Sequence, residues 1–284
     1  MDIGIGIPNT VGGTTGAQLL EWARRAERAG FSSLASIGAV DYPGYEELTV
    51  FAAAGAVTER IRFVTNVLIA PARSTAELAK QAATVQQITG GRLTLGLAVG
   101  WRESDYRLTG RDFHERGKLF DAQLSDLKRA WAGEPVLDGT RPSSPSPGTD
   151  VPLLIGGNTD ATVRRVVEHG VGWTAGGAPP DAMAAFIAKV RDAWKGVRDG
   201  EPHFTGLTYF SLGDTEEASR AYLLDYYTFL GDMARTIADS ALRSPEAISG
   251  ARQAFEGVGL SEWILVPTVS DPEQVDRLAD VIFG

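Results

Sequence analysis

The chain has 284 residues, 43 % of them hydrophobic, a formal charge of −9 at neutral pH and no cysteine. That length and apolar content support a sizeable core, while the lack of cysteine excludes disulfides, thiolate metal sites and cysteine nucleophiles. The negative field opposes nucleic acid, which is held through Lys and Arg. No apolar run approaches the roughly 18 residues of a membrane span, and "MDIGIGIP" lacks the basic and long apolar regions of a secretion signal. The expectation is a cytoplasmic protein that handles a small molecule, with no membrane or nucleic-acid partner.

In chain order, "DIGIGIP" alternates as a short strand, and Thr14 or Thr15 caps a helix over "GAQLLEWARRAERAG" that stops at Gly30. "FSSLAS" predicts a strand, "YEELTVFAAAGAVTER" a helix, "IRFVTNVLIA" a strand and "STAELAKQAATVQQITGG" a helix. "RLTLGLAVG" is the next strand, followed by a polar loop and the helix "RGKLFDAQLSDLKRAWAG". Residues 133–150, rich in Pro, Ser and Gly, carry no periodicity. Beyond them come "VPLLIGG", "TDATVRRVVEHG", "VGWTAGG", "DAMAAFIAKVRDAWKG" and "PHFTGLTYFSLG". One long helix is expected over "TEEASRAYLLDYYTFLGDMARTIADSAL", before the last strand "SEWILVPTV" and helix "PEQVDRLADVIF". Eight strands alternating with helices over roughly 250 to 300 residues match a closed (β/α)8 TIM barrel, an α/β fold. An open doubly wound sheet is the alternative. The 133–150 stretch is read as a βα insertion in one domain spanning 1–284.

Several chemistries lack their signature. There is no G-x-x-x-x-G-K-[ST] phosphate loop, H-E-x-x-H zinc helix, G-x-S-x-G elbow or acidic calcium loop. "GIGIPN" begins like a dinucleotide fingerprint, but Asn9 stands where the last glycine belongs. His114, His169 and His203 are too scattered for a metal site. His114 alone follows a strand's C-terminal end, where barrel enzymes keep their chemistry.

On a barrel, the functional face is built by the residues just after each strand: Pro8-Asn9, Ile37-Gly38-Ala39, Asn66-Val67, Gly100-Trp101, Gly156-Gly157-Asn158 and Ala175-Gly176-Gly177. Gly156 and Gly157 let backbone approach a ligand, and Asn158 and Thr159 open the next helix with unpaired amides. An ordinary capped turn and an anion cradle both fit that spacing. Gly176 and Gly177 repeat the device. Trp101 offers a wall for a planar ring, or is a core residue.

"RIRFVTNVLIAPARSTAELAKQAATVQQITGGRLTLGLAVGWRESDY", "FHERGKLFD" and "VPLLIGGNTDATVRRV" together resemble the bacterial-luciferase-like oxidoreductases, which use FMN or the deazaflavin coenzyme F420. The resemblance spans nearly the whole chain. It implies a (β/α)8 barrel with the flavin ring across the C-terminal strand ends and its phosphate near Gly156, Gly157, Asn158 and Thr159. It also implies a bulge in the third strand, with a non-proline cis peptide at Asn66-Val67 behind the ring. Gly38, Ala39, Gly100, Trp101, Gly176 and Gly177 complete the expected cofactor set.

Two positions depart from the family pattern. Many relatives carry Asp-His at the end of the second strand, where this chain has Gly38-Ala39, so that acid/base is missing. An acidic residue of the sugar-phosphate dehydrogenase branch is replaced by Trp101. Asp41, Arg102, Glu103, Asp105 and His114 remain as proton-handling or substrate-binding candidates, with Glu103, Asp105 and His114 foremost, against the usual reading of surface ion pairing. The resemblance favours F420 over FMN, and a cluster of Arg73, Lys80 and Arg102 is the expected counter-charge for the coenzyme's acidic tail. Tyr222, Tyr226, Phe229 and Met233 share one side of the long helix, packing on the barrel, roofing the substrate pocket or meeting a second subunit of an expected homodimer. An apolar lining from Ile37, Val67, Leu68, Trp101 and Tyr209 suits a moderately hydrophobic carbonyl, alcohol or enone. Other readings are an FMN-dependent monooxygenase, a catalytically silent flavin-binding barrel, and a barrel lyase or isomerase using the carboxylates at 103 and 105.

Overall fold

A computed structural model describes residues 1–145 and 148–284. Strand β1 (Asp2–Gly6) is buried on both faces beyond its first residue, as strands of a parallel sheet covered by helices are. Helix α1 (Gly16–Ala29) starts at Thr15, whose hydroxyl accepts from the Gln18 amide while the Gln18 side chain accepts from the Thr15 amide, and stops at Gly30 with φ 91°. Then come β2 (Ser33–Ser36), α2 (Glu47–Gly55), β3 (Arg62–Thr65), β4 (Leu68–Ile69), α3 (Thr75–Ile88) and β5 (Leu93–Ala98). A short α4 (Glu103–Leu108) precedes α5 (Arg116–Trp131). The second half runs through β6 (Leu153–Gly156), α6 (Asp160–His169), β7 (Gly172–Ala175), α7 (Pro180–Trp194) and β8 (His203–Phe210). It ends with α8 (Glu216–Tyr226), α9 (Met233–Ser240), α10 (Pro245–Glu256), β9 (Glu262–Pro267) and α11 (Glu273–Phe283).

The strands run in the order β3-β2-β1-β9-β8-β7-β6-β5-β4, and β3 also pairs with β5. β3 and β4 are thus two halves of one strand, and the sheet closes as an eight-stranded parallel barrel. Val64 faces Thr94 and Leu68 faces Leu97, so the β3–β4 strand advances four residues while β5 advances three. The extra residue is a bulge, and the Asn66-Val67 peptide within it is cis. Just below, β3 and β5 approach so closely that a Cβ on Gly96 would lie 1.9 Å from the Thr65 carbonyl oxygen. The Thr65 hydroxyl uses that proximity to donate to the Gly96 carbonyl at 2.8 Å.

Inside the barrel, Ala35, Val64, Leu154, Leu207 and Ile264 pack together, and a larger apolar layer lies between strands and helices. At its N-terminal end, the buried Glu262 carboxylate accepts from the hydroxyls of Ser32 and Ser33 (2.8 Å for Ser33) and from Arg62 at 3.3 Å.

Two expectations are corrected. The segment 133–150 joins α5 to β6, so it is an αβ rather than a βα connection and lies at the end of the barrel away from the βα turns; Ser146 and Pro147 within it lie outside the described residues. The single long helix expected after β8 is broken into α8, a 3₁₀ turn at Thr228–Leu230 and α9, and a further helix, α10, follows it. Gly231, at φ 58° and ψ −128°, turns the chain out of helix, and Pro245 starts α10 behind a Ser244 cap.

Burial alone would raise the pKa of Glu262, but bonds from His203, Ser32 and Ser33 and the charge of Arg62 hold it below the usual glutamate range. A carboxyl lowered on folding contributes stability above its unfolded pKa and loses it as pH falls through the folded value. Glu262→Gln is therefore expected to lose about 2 kcal/mol at pH 7, measured by urea unfolding, and to show a shallower loss of stability than wild type below pH 4.5.

Candidate functional site

The βα turns meet around a cavity of about 420 Å³, a size suited to a small ligand. The bulge supplies Asn66 and Val67 to its lining; other turns add Gly38, Gly100, Trp101, Gly156, Gly157, Asn158, Gly176 and Gly177. Leu207 and Tyr209 of β8 line it from inside the barrel, and the broken segment after β8 covers it with Tyr226, Tyr227, Phe229, Leu230, Met233 and Ile237.

Asn66 is held in a defined orientation: its Oδ1 accepts from the Thr174 hydroxyl at 2.9 Å. The amide nitrogen Nδ2 is then directed elsewhere, buried and without a partner among the described residues. Such a donor calls for an acceptor. Across the cavity, Trp173 Nε1 donates to the Gly157 carbonyl at 2.7 Å and fixes the glycine turn, in which Gly157 has φ 119°. A Cβ on Gly156 would press on Ala98 and Val67 at 3.1 Å. Thr159 caps α6 in a capping box with Thr162, so it frames the turn without lining the cavity.

The charged side chains at the mouth are engaged by the protein itself. Asp105 is buried, and its Oδ1 accepts from the amides of Val40 at 2.9 Å and Asp41 at 2.7 Å, which pins the loop after β2; burial raises its pKa. Arg102 donates to the Asp41 carbonyl at 3.0 Å and to the Tyr226 carbonyl at 2.7 Å. Its guanidinium also sits 4.4 Å from the Phe229 ring centre and 5.2 Å from that of Tyr226. One side chain thereby ties the β5 turn, the β2 turn and the roof together.

The other sequence candidates lie elsewhere. Glu103 is exposed, His114 is exposed with its ring edge-on to Phe113, and neither lines the cavity. Leu68 is turned outward into the strand–helix core, because the bulge shifts the facing of every residue beyond it. Tyr222 and Tyr226 are buried, whereas Phe229 and Met233 are exposed at the mouth. The expected cluster of Arg73, Lys80 and Arg102 does not form: Lys80 is exposed on α3, and Arg73 lines a second cavity of about 500 Å³ together with Ala39.

In that second cavity, Arg73 bridges Glu46 at 2.8 Å and the buried Glu47 at 2.6 Å. Glu47 explains the missing side chain at position 38, since a Cβ on Gly38 would lie 1.8 Å from Glu47 Oε1. Long-range pairing of this kind leaves no local signal, and sequence reasoning passed over Glu47, as it did Tyr227.

With this geometry established, comparison places the chain plainly: residues 1–281 match the model of the luciferase-like monooxygenases, and the protein belongs to that family. An uncharacterized protein of Mycobacterium tuberculosis is 31 % identical over 199 residues, 60 % of this chain and 68 % of that one. The FMNH2-dependent dimethylsulfone monooxygenase of Pseudomonas putida is 25 % identical over 255 residues, covering 84 % of this chain and 66 % of that one. Among solved structures, the monooxygenase RslO1 of Streptomyces bottropensis superposes with TM-score 0.79 at 20 % identity, covering 99 % of this chain and 97 % of that one. An F420-dependent secondary alcohol dehydrogenase does so with TM-score 0.79 at 17 % identity, covering 99 % and 98 %.

The pairings around the site lead to two expected outcomes. Arg102→Ala removes both carbonyl bonds and the stacking beneath Phe229, so amide hydrogen exchange over 226–237 is expected to speed up at least about ten-fold while the barrel strands keep their protection. Burial raises the Glu47 carboxyl to about 7 against the pull of Arg73. The folded protein then holds a proton that the unfolded chain has released, so this group lowers stability as pH rises from 4.5 to 7. Glu47→Gln is expected to remove that slope from urea midpoints measured across the same range.

Proposed function

We propose that the protein is an F420-dependent oxidoreductase that transfers a hydride between the deazaflavin coenzyme and a small organic substrate in the 420 Å³ cavity. The observation that carries this reading is that both charged side chains lining the cavity among the described residues, Arg102 and Asp105, are taken by backbone partners. A reaction there draws its chemistry from a bound group, and hydride transfer asks little of the protein beyond position and exclusion of water.

The residues present fit a flavin-type group. Asn66 offers its unpartnered buried Nδ2, Val67 and Trp101 supply apolar surface, and Gly176 and Gly177 stand in open space where a Cβ would meet nothing within 4 Å. Gly156, Gly157 and Asn158, ahead of the Thr159 cap of α6, would hold the phosphate, where amide donors and the helix dipole favour an anion. The coenzyme, when bound, supplies the carbon that gives or takes the hydride. The chain's own part is to seat the ring on the Asn66–Val67 bulge, to keep Gly38 free of a side chain beside it, and to shut out water with the aromatic roof held by Arg102. The carboxylates at 103 and 105 do not converge, since Glu103 is exposed and Asp105 is spent on two amides, so a lyase or isomerase built on that pair is not favoured.

FMN is the second reading, supported by the dimethylsulfone monooxygenase relative. Titration of purified protein with F420 and, separately, with FMN, monitored by tryptophan fluorescence from Trp101 and Trp173 at the cavity, decides between them. Micromolar quenching by F420 alone is the expected result, with Asn66→Ala weakening it about ten-fold. Quenching by FMN alone points to a monooxygenase supplied with reduced flavin. Binding of either with no turnover of any donor supports the silent barrel, and binding of neither overturns the cofactor assignment.

A further inference from the structure

The candidate site contains two hydroxyls that the cofactor reading does not use. Tyr209 of β8 and Tyr227, just after α8, both line the 420 Å³ cavity, and their phenolic oxygens lie 2.6 Å apart. We propose that this pair is the polar anchor of the substrate site, and that the substrate is a neutral molecule with an apolar body and one carbonyl or alcohol oxygen. The inference rests on the reading of this cavity as the reaction site.

The argument begins with a count of protons. Two phenols carry two O–H groups, and one is used in the bond between them. Neither hydroxyl has another hydrogen-bond partner among the described residues, so one O–H and several lone pairs remain for a ligand. Both rings are held in place: Tyr227 packs edge-on against Tyr226, centres 4.9 Å apart and planes at 84°, and against Tyr209 at 6.0 Å and 74°. The donor is therefore preorganised.

Charge and shape then select the ligand. Burial raises both phenols above the ordinary tyrosine value, so at neutral pH they are uncharged donors and not bases. The ring of Phe229 lies 6.1 Å from that of Tyr227, and the same lining takes apolar side chains from Leu207 of the barrel and from Leu230, Met233 and Ile237 of the roof. Among the described residues Arg102 is the one cation in the lining, and it is committed to two carbonyls and the ring of Phe229. A carboxylate or phosphate on the substrate would lose its hydration here and gain no free counter-charge, whereas a single neutral oxygen is matched by the phenol pair.

The test compares three probes of like size by calorimetry: acetophenone, ethylbenzene and benzoate, on protein loaded with whichever of F420 or FMN it binds, and on the unloaded protein. Acetophenone is expected to bind more tightly than ethylbenzene, and benzoate more weakly than either. Tyr227→Phe and Tyr209→Phe keep the rings and are each expected to weaken acetophenone about five-fold while leaving ethylbenzene and cofactor affinity unchanged. A general loosening of the pocket would weaken ketone and hydrocarbon alike. The anchor is overturned if acetophenone does not bind wild type, if benzoate binds as well as the ketone, or if the phenylalanine variants lose no ketone affinity. Should wild type bind neither coenzyme while the unloaded protein keeps the ketone preference, the coenzyme assignment falls and the anchor stands.

Discussion

One extra residue in the third barrel strand sets the arrangement of the site. Four residues of this strand match three of β5 between the Val64–Thr94 and Leu68–Leu97 pairs, and side-chain facing alternates with each residue. The inserted residue brings Asn66 and Val67 to the cavity in succession and sends Leu68 outward to the helices. Two neighbouring barrel positions adapt to this. Gly96 lets β3 close on β5 immediately before the bulge, and Gly156 leaves room for the adjoining Val67 side chain, which a Cβ there would meet at 3.1 Å. Thr174 then turns the Asn66 amide so that its NH₂ group, and not its oxygen, is the free end.

The electrostatic design obeys a related constraint. A chain of charge −9 holds a cavity whose lining charges among the described residues are satisfied internally, Asp105 by two amides and Arg102 by two carbonyls. Desolvated charge is costly unless paired, and here the pairing joins the turns after β2 and β5 to the roof. The neighbouring cavity solves a different problem with Arg73 set between Glu46 and Glu47. The Glu47 carboxyl fills the space beside Gly38, and this accounts physically for the absence of the acidic side chain that relatives are expected to carry there.

Much of the fold was legible because its signals are periodic and local: apolar strands ended by glycines, the Thr15 and Thr159 caps, and eight alternations that leave few topologies besides a closed barrel. The glycine-bearing turns also marked the end of the barrel where the 420 Å³ cavity opens, since a cavity edge built from backbone requires them. The hidden features depended on facing or on distant partners. Glu103 and Asp105 are two apart on α4, which places them on opposite sides of the helix, so one is exposed and the other buried. Helical spacing is read straight through Gly231 across 215–242, although a glycine there can take the positive φ with which the chain turns. Val67 and Leu68 are both expected in the lining, but adjacent strand residues face opposite ways beyond the bulge, so Val67 reaches the cavity and Leu68 packs outward.

The Gly100-Trp101 turn that follows β5 is shaped by the same bulged strand. Gly100 has φ 67°, and a Cβ there would meet Ile69 at 2.9 Å, so the turn is fixed by the strand half beyond the bulge. From that turn, Trp101 projects to the mouth, 65 % exposed, while Arg102 points back beneath Phe229 and Tyr226. The break after Tyr226 completes the arrangement. In a continued helix the amide of Leu230 would bond the Tyr226 carbonyl, but here it bonds that of Tyr227, leaving Tyr226 free to accept from Arg102. The irregular roof and the short charged turn after β5 are thus parts of one device, in which a helix gives up a carbonyl so that a cation from the barrel can hold the cover in place.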